Sequence, residues 1–269
     1  MPAAWALEMT SATDRGRVRS QNEDSLAFDS GMGYAVLADG MGGHNAGEVA
    51  SRLAVATVEA DMKKLARQEG YARLAAFEIQ RLVADLVAHA NAAIYRAARR
   101  KQAYAGMGTT LVIALWHQAR VAVAHVGDSR LYRLRANRLV QLTRDHSLLQ
   151  NQVDSGLLSR EQARRAPHRN LITRAVGIEA KVEAEVRVHD AVSGDLYLLC
   201  SDGLTDMLDD RDIERTLARA RRSLACAVDA LVQQANDRGG RDNISVVLAQ
   251  WVGGSRNVAG RAPPTEALR

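Results

Sequence analysis

Apolar positions along this chain recur with two periods, and the changes between them mark its elements. Residues 24–29 (DSLAFD) and 33–38 (GYAVLA) read as strands, the second apolar on both faces and so fully buried. From 46 to about 67, Val49, Leu53, Ala56, Ala60 and Leu65 recur near helical spacing. A longer helix over about 71–100 carries Leu74, Phe77, Leu82, Leu86, Ala90, Ala93, Ile94 and Ala97 on its apolar side. The period turns strand-like at 109–116 (TTLVIALW), 119–127 (ARVAVAHVG), 130–135 (RLYRLR) and 138–143 (RLVQLT), with Ala136 and Asn137 as a hairpin turn between the last two.

Residues 144–180 interrupt this β region; they are polar, contain Pro167 and carry only short helical signals, and they read as a lid-like insertion. Strands resume at 182–189 and 195–201, helices follow near 210–220 and 223–236, and 243–251 (NISVVLAQW) is a last strand. The tail 253–269, rich in Gly, Ser and Pro, reads as disordered. Antiparallel hairpins with helices grouped in pairs predict an α+β fold and argue against a doubly wound nucleotide-binding sheet. One domain over 1–252 with one insertion is expected.

Of the 269 residues 47% are hydrophobic and 25% charged, as in ordinary globular proteins, and no apolar run approaches the roughly 20 residues that span a bilayer. The first residues lack a signal-peptide pattern, and two cysteines, Cys200 and Cys226, suit a reducing compartment, so the cytoplasm is the expected location. The net charge of +5 is spread along the chain, and with 4% aromatics there is little for bases to stack on; a nucleic-acid role is discounted.

Four aspartates sit at the lips of apolar strands: Asp39 after YAVLA, Asp128 after VAVAHVG, Asp202 after LYLLCS and Asp242 before ISVVLA, each with a glycine within two positions. Any one Asp-Gly pair is more simply a turn. Four at the ends of separate core strands can converge, and converging carboxylates do not all ionise without a cation. An all-oxygen set suits magnesium or manganese; no zinc-type cluster and no P-loop is present.

Seven segments then form an ordered series: RVRSQNEDS (17–25), LADGMGGHNAGEVAS (37–51), GMGTTLV (106–112), HVGDSRLY (125–132), HRNLITRAVG (168–177), LCSDGLTDML (199–208) and GGRDNISVV (239–247). The series resembles the bacterial branch of the metal-dependent protein phosphatases, the protein phosphatase 2C type, over about residues 10–250. The resemblance implies an antiparallel β-sandwich of two sheets flanked by helices on both outer faces, four layers in αββα order. It also implies a dinuclear metal site at one end and a mobile flap at 144–180.

Carried onto this sequence, the resemblance implies that Asp39 bridges two cations and the Gly40 carbonyl binds the first, while Asp202 and Asp242 hold the second. Asp128 of GDSR would bind a third cation together with Asp202. Arg19 would grip the substrate phosphate, Glu23 and Asp24 would order waters on the cations, and Asn243 would support the neighbouring ligand. Arg19, Asp39, Asp202 and Asp242 thus form the implied catalytic set, with two to three Mn or Mg ions. Two such ions activate water and offset phosphoryl charge, so no serine or cysteine nucleophile is required. Many eukaryotic relatives have a histidine directly after the Asp-Gly pair, a proposed general acid; here Met41 stands there. His44 therefore does not inherit that role, and a loop residue ordering the glycine turn is an equal reading.

The activity implied is hydrolysis of phosphoserine and phosphothreonine in proteins, reversing a bacterial Ser/Thr kinase, by a monomer that engages neither nucleic acid nor membrane. Two alternatives stay open: a catalytically silent phosphoprotein-binding module, and a phosphohydrolase of small molecules or nucleic acid. His125 reads as a packed strand histidine, Cys200, Trp116 and Trp251 as core or rim packing. Arg160, Arg164, Arg165, Arg169 and Arg174 make the flap basic, either a solvated surface or an attractor of acidic segments.

Overall fold

A computed structural model describes residues 6–43, 46–68, 70–159, 162–163, 171–219 and 223–252. Within them lie strands β1 (Ala6–Asp14), β2 (Asp24–Asp29), β3 (Tyr34–Met41), β4 (Gly108–Thr109), β5 (Leu111–His117) and β6 (Arg120–Val126). The remaining strands are β7 (Arg130–Arg135), β8 (Arg138–Gln141), β9 (Glu185–Asp190), β10 (Leu196–Cys200) and β11 (Ile244–Val252). The helices are α1 (Ala46–Leu65), α2 (Ala76–Arg100), α3 (Leu148–Asp154), α4 (Asp202–Thr205), α5 (Asp210–Arg219) and α6 (Leu224–Asp237). One antiparallel sheet has the order β1-β11-β10-β7-β8 and the other β2-β3-β5-β6-β9, with β4 paired to β3.

Alternate residues of the central strands face different apolar layers. Leu37, Ala114, Trp116, Val123, Tyr197, Leu199 and Val247 meet between the sheets. Val36, Ile113 and Ala124 lie beneath α1 and α2, whereas Leu198, Cys200, Val246 and Leu248 lie beneath α5 and α6. Runs such as LVIALW are therefore apolar throughout, because both faces of each central strand are covered. The α+β, four-layer αββα arrangement expected from the sequence is the observed one. Trp116 packs edge-to-face on Tyr197 at 5.4 Å, and Cys200 is fully buried.

Several elements depart from the pattern reading. β1 was not predicted: an edge strand paired only with β11, it shows a broken apolar pattern and one buried residue, Leu7. The second long helix begins at Ala76 rather than 71, because Gly70 takes φ 114° and the Glu78 carboxylate accepts a hydrogen bond from the Ala75 amide at 2.7 Å. Its buried stripe is Ile79, Val83, Leu86, Ala90 and Ile94, leaving Phe77 73% exposed. In α1 the stripe is likewise rotated: Ala50, Ala54, Val58 and Met62 are buried while Ala56 and Ala60 face solvent. Ala136 and Asn137 both take positive φ, 49° and 64°, as a tight hairpin turn requires.

The insertion between β8 and β9 is anchored at both ends. His146 donates its amide to the Gly127 carbonyl, Leu148 to Leu171, and Thr109 and Val176 exchange bonds of 3.0 and 2.9 Å. Ser147 caps α3, accepting from the Gln150 amide. His44, Arg160, Arg164, Arg165, Pro167, Arg169 and the tail 253–269 lie outside the described residues. No described helix is long and apolar enough to cross a membrane.

Candidate active site

The acids meet where strand ends of both sheets come together. Asp39 and Gly40 lie within β3 rather than after it, and the register sets Asp24 of β2 opposite Asp39. The Gly40 amide donates to the Glu23 carbonyl at 3.1 Å. Behind Gly40 runs the first turn of α1: a Cβ on Gly40 would lie 2.1 Å from the Gly47 carbonyl oxygen, and one on Gly47 would lie 2.8 Å from the Gly40 carbonyl carbon. Both positions must be glycine for the two backbones to touch.

Thr109 and Thr110 of GMGTT fix the main chain of Asp39. Its carbonyl accepts from the Thr109 hydroxyl (2.8 Å) and the Thr110 amide (2.8 Å), and its amide donates to Thr110 Oγ1 (3.0 Å). The Thr110 hydroxyl also meets that of Ser129 at 2.7 Å, which ties β3 to the turn bearing Asp128. Across the sandwich, Asp202 opens α4 after β10, and Asp242 leads into β11 with its Oδ1 accepting from the Asn243 amide at 2.8 Å.

The electrostatics show how tightly the acids converge. Burial first, then the charges of Asp24, Asp202, Asp128 and Asp242, hold the Asp39 carboxyl well above the usual carboxylate range. Asp202 is likewise raised well above it by burial, then by Asp128, Asp206, Asp242 and Asp24. Burial, with Asp145 next, pushes Asp128 up to about 6, despite the opposing Arg130. Asp24 also reaches about 6, mainly by burial, and burial raises Glu23. The Asp24 Oδ2 accepts from Ser201 at 2.8 Å, but its Oδ1 is buried with no hydrogen-bond donor. A dense set of hard oxygen donors, one of them orphaned, fits a divalent cation of the magnesium or manganese kind.

Arg19 lies on the exposed side of this cluster, its Nη2 2.6 Å from Asp242 Oδ2. Asp202 and Asp39 are also within its electrostatic reach. Asn243 does more than support its neighbour: its Oδ1 accepts from the Glu23 amide at 2.8 Å, and its Nδ2 donates to the Arg15 and Gln21 carbonyls at 2.9 Å each. One side chain therefore shapes the loop that presents Arg19, Glu23 and Asp24.

Sequence reasoning missed Asp206, whose charge acts on both Asp128 and Asp202. The signal was available: it is the second acid of SDGLTD, four residues and one helical turn beyond Asp202, and its amide donates to the Asp202 carbonyl at 2.7 Å. Thr109, Thr110 and Ser201 were also missed, because hydroxyls that hold backbone carry no pattern of their own.

The Protein phosphatase 2C family model matches residues 13–249. The serine/threonine phosphatase Stp of Listeria welshimeri serovar 6b is 41% identical over 241 residues, 88% of this chain and 93% of the relative. The crystal structure of the Mycobacterium tuberculosis serine/threonine phosphatase PstP superposes with a TM-score of 0.83 at 37% identity, covering 91% of this chain and 98% of that one. The catalytic domain of PstP in complex with two manganese ions gives a TM-score of 0.81 at 35% identity, covering 93% of this chain and 100% of that one. With its fold, its ordered motifs and its converging acids, the chain belongs to the protein phosphatase 2C family.

Proposed function

We propose that this protein is a metal-dependent protein-serine/threonine phosphatase that hydrolyses phosphoserine and phosphothreonine. The observation that carries this is the gathering of Asp39, Asp128, Asp202 and Asp242 at one end of the sandwich in a chain that the Protein phosphatase 2C family model matches over residues 13–249. Asp39, the Gly40 carbonyl, Asp128, Asp202 and Asp242 are the groups that would hold two to three Mn or Mg ions, with the charge of Asp206 acting on Asp128 and Asp202. When bound, such ions supply the Lewis acidity that activates water and offsets charge on the phosphoryl oxygens.

The chain's own residues do the rest. Arg19, paired with Asp242 at 2.6 Å, turns its planar donors to the substrate phosphate, where bidentate contact fixes orientation. Glu23 and Asp24 present acceptors to waters at the cations, and Asn243 keeps their loop in register. Asp24 keeps its place through Ser201, which ties the loop of one sheet to the strand end of the other. The described residues offer no general acid at the position after Gly40, which is Met41. Phosphorylated proteins are the substrates, a Ser/Thr kinase among them, acted on in the cytoplasm by a monomer with no nucleic-acid or membrane role.

A catalytically silent binding module is disfavoured because every cation-holding acid is present. Manganese-dependent phosphate release from a phosphothreonine peptide, compared with nucleotides and small phosphate esters, tests the assignment. Peptide turnover that needs manganese and exceeds turnover of the others is expected. Binding without turnover would favour the silent module, and preference for nucleotides would favour the small-molecule reading.

A further inference from the structure

Three side chains outside the carboxylate cluster lie close together: His125 of β6, His146 at the start of the insertion and Glu185 of β9, with potential ligand atoms within 4.8 Å of one another. They look at first like a second cation site. Their hydrogen bonds argue otherwise. His125 Nε2 lies 2.7 Å from the Arg144 carbonyl and 3.3 Å from the Arg144 amide; the shorter contact makes this nitrogen a donor. His146 Nδ1 accepts from the Gly127 amide at 3.2 Å. Guanidinium groups already stand at the other two residues: Arg174 is 3.5 Å from His146 Nε2, which also lies 3.9 Å from Glu185 Oε2, and Arg187 binds Glu185 Oε1 at 2.7 Å. A cation there would meet two positive side chains.

What the cluster does hold is the turn that carries Asp128. Gly127, at φ 99°, sits between β6 and β7, and a Cβ there would come within 2.7 Å of Thr110. Ser129 fixes the far side of the turn through Thr110, whereas Gly127 has no side chain of its own and its peptide groups are fixed from outside. The Gly127 carbonyl accepts from the His146 amide at 2.9 Å and its amide donates to the His146 ring, so one residue clamps both sides of Gly127. The His146 ring lies flat on His125, with centroids 4.8 Å apart and planes inclined by 17°. His125 is in turn pinned by the Arg144 carbonyl. Arg130, two residues beyond Asp128, holds Asp145 through Nε at 3.0 Å and Nη2 at 2.6 Å. Three successive insertion residues thus grip the HVGDSR segment on either side of the one acid.

We propose that His146 is a positioning residue for Asp128: through Nδ1 it holds the Gly127 amide, and with His125 stacked behind it this sets the direction in which the Asp128 carboxylate meets Asp202. The proposal depends on Asp128 being a cation ligand, as assigned above. An acceptor nitrogen must be unprotonated, and burial first, then the neighbouring His125 and Arg174, lowers His146 to about 4, so the ring stays neutral at ordinary pH.

The test separates the acceptor from the ring. His146→Phe keeps a flat ring against His125 and loses the acceptor; His146→Asn loses the stack but places Oδ1 where Nδ1 was. Manganese titration of the full chain by calorimetry, with Asp128→Asn as reference, reads the sites directly. Asp128→Asn is expected to lose one manganese site. His146→Phe is expected to weaken that same site about tenfold, leave the other sites unchanged and speed exchange of the Gly127 amide in metal-free protein, while His146→Asn stays within about twofold of wild type. His146→Gln, with its acceptor one bond further out, falls between them and carries the same test should the Phe variant fail to fold. Wild-type binding by His146→Phe or His146→Gln, or equal losses by the Asn and Phe variants, overturns the positioning role alone. An unchanged isotherm for Asp128→Asn instead removes the ligand assignment beneath it, and the proposal with it.

Discussion

Asp145, Asp195 and Asp212 are as inaccessible as Asp24, with exposures of 9%, 1% and 8% against 9%, yet each is met by guanidinium. Arg130 grips Asp145, while Arg135 grips Asp195 through two donors at 2.7 and 2.6 Å. Arg238 and Arg215 bind Asp212, and the hydrogen bond from Arg238 leads in pulling its carboxyl down to about 2. At the lips of β3, β6 and β10 the situation is reversed. Asp39 forms no ion pair among the described residues, and Asp39, Asp128 and Asp202 are all raised. Structural acids in this protein arrive with their own guanidinium; Asp242, met by Arg19, apart, the acids of the site are grouped against one another, an arrangement that a cation relieves.

Neutralising one acid in each group gives opposite results. Asp39→Asn should cut phosphothreonine-peptide turnover by about 10³-fold or more, about 4 kcal/mol of barrier. The metal-free fold should remain intact or gain thermal stability, because one repelling carboxylate is gone. Near-normal turnover would remove Asp39 from the centre. Arg19→Ala should lower kcat/KM by about 10–100-fold, the worth of a charge-assisted contact, and Arg19→Lys should recover only part of it, since a point charge does not reproduce the planar fork.

Asp195→Asn should cost about 2 kcal/mol in urea denaturation while leaving manganese affinity untouched, because Arg135 loses its charge partner far from the site. If Asp195→Asn changed manganese binding, the two groups would not be electrically separate. The smallest effect is in pH. Asp24 and Asp128 titrate near 6 when folded and near 3.9 when unfolded. Between about pH 4 and 6 these two carboxyls hold more protons in the folded state, so their contribution to the stability of the metal-free protein falls as pH rises, whereas His146, lowered to about 4, contributes with the opposite sign. In chelator, Asp128→Asn should therefore lose about 1 kcal/mol of stability at pH 5 relative to pH 7.5 when compared with the wild type. A variant with the wild-type pH dependence would count against the elevation of Asp128.

The sequence made the central strands legible because both faces of β3, β5, β6, β10 and β11 are covered, which leaves unbroken apolar runs. It did not reveal β1, whose pairing with β11 joins residues more than two hundred positions apart and whose edge position demands little apolarity. The buried faces of α1 and α2 were misread by part of a turn because alanines occur all round both helices, and only contact with the sheet selects among them. At the site, the acids beside glycine were visible as a local pattern. Asn243 was assigned to its neighbour, whereas its longest reach is to Gln21 and Arg15, a connection no local spacing encodes. His125 was correctly read as a packed strand histidine, but its bond to the Arg144 carbonyl depends on how the insertion folds back.

The place of β11 between β1 and β10 couples the integrity of the sheet to that of the site. Among the described strands β1 pairs only with β11, and Asp242, which leads into β11, completes a set begun with residues near 20. A change that loosens β11 therefore takes from β1 its strand partner and withdraws Asp242 from the other acids in one stroke.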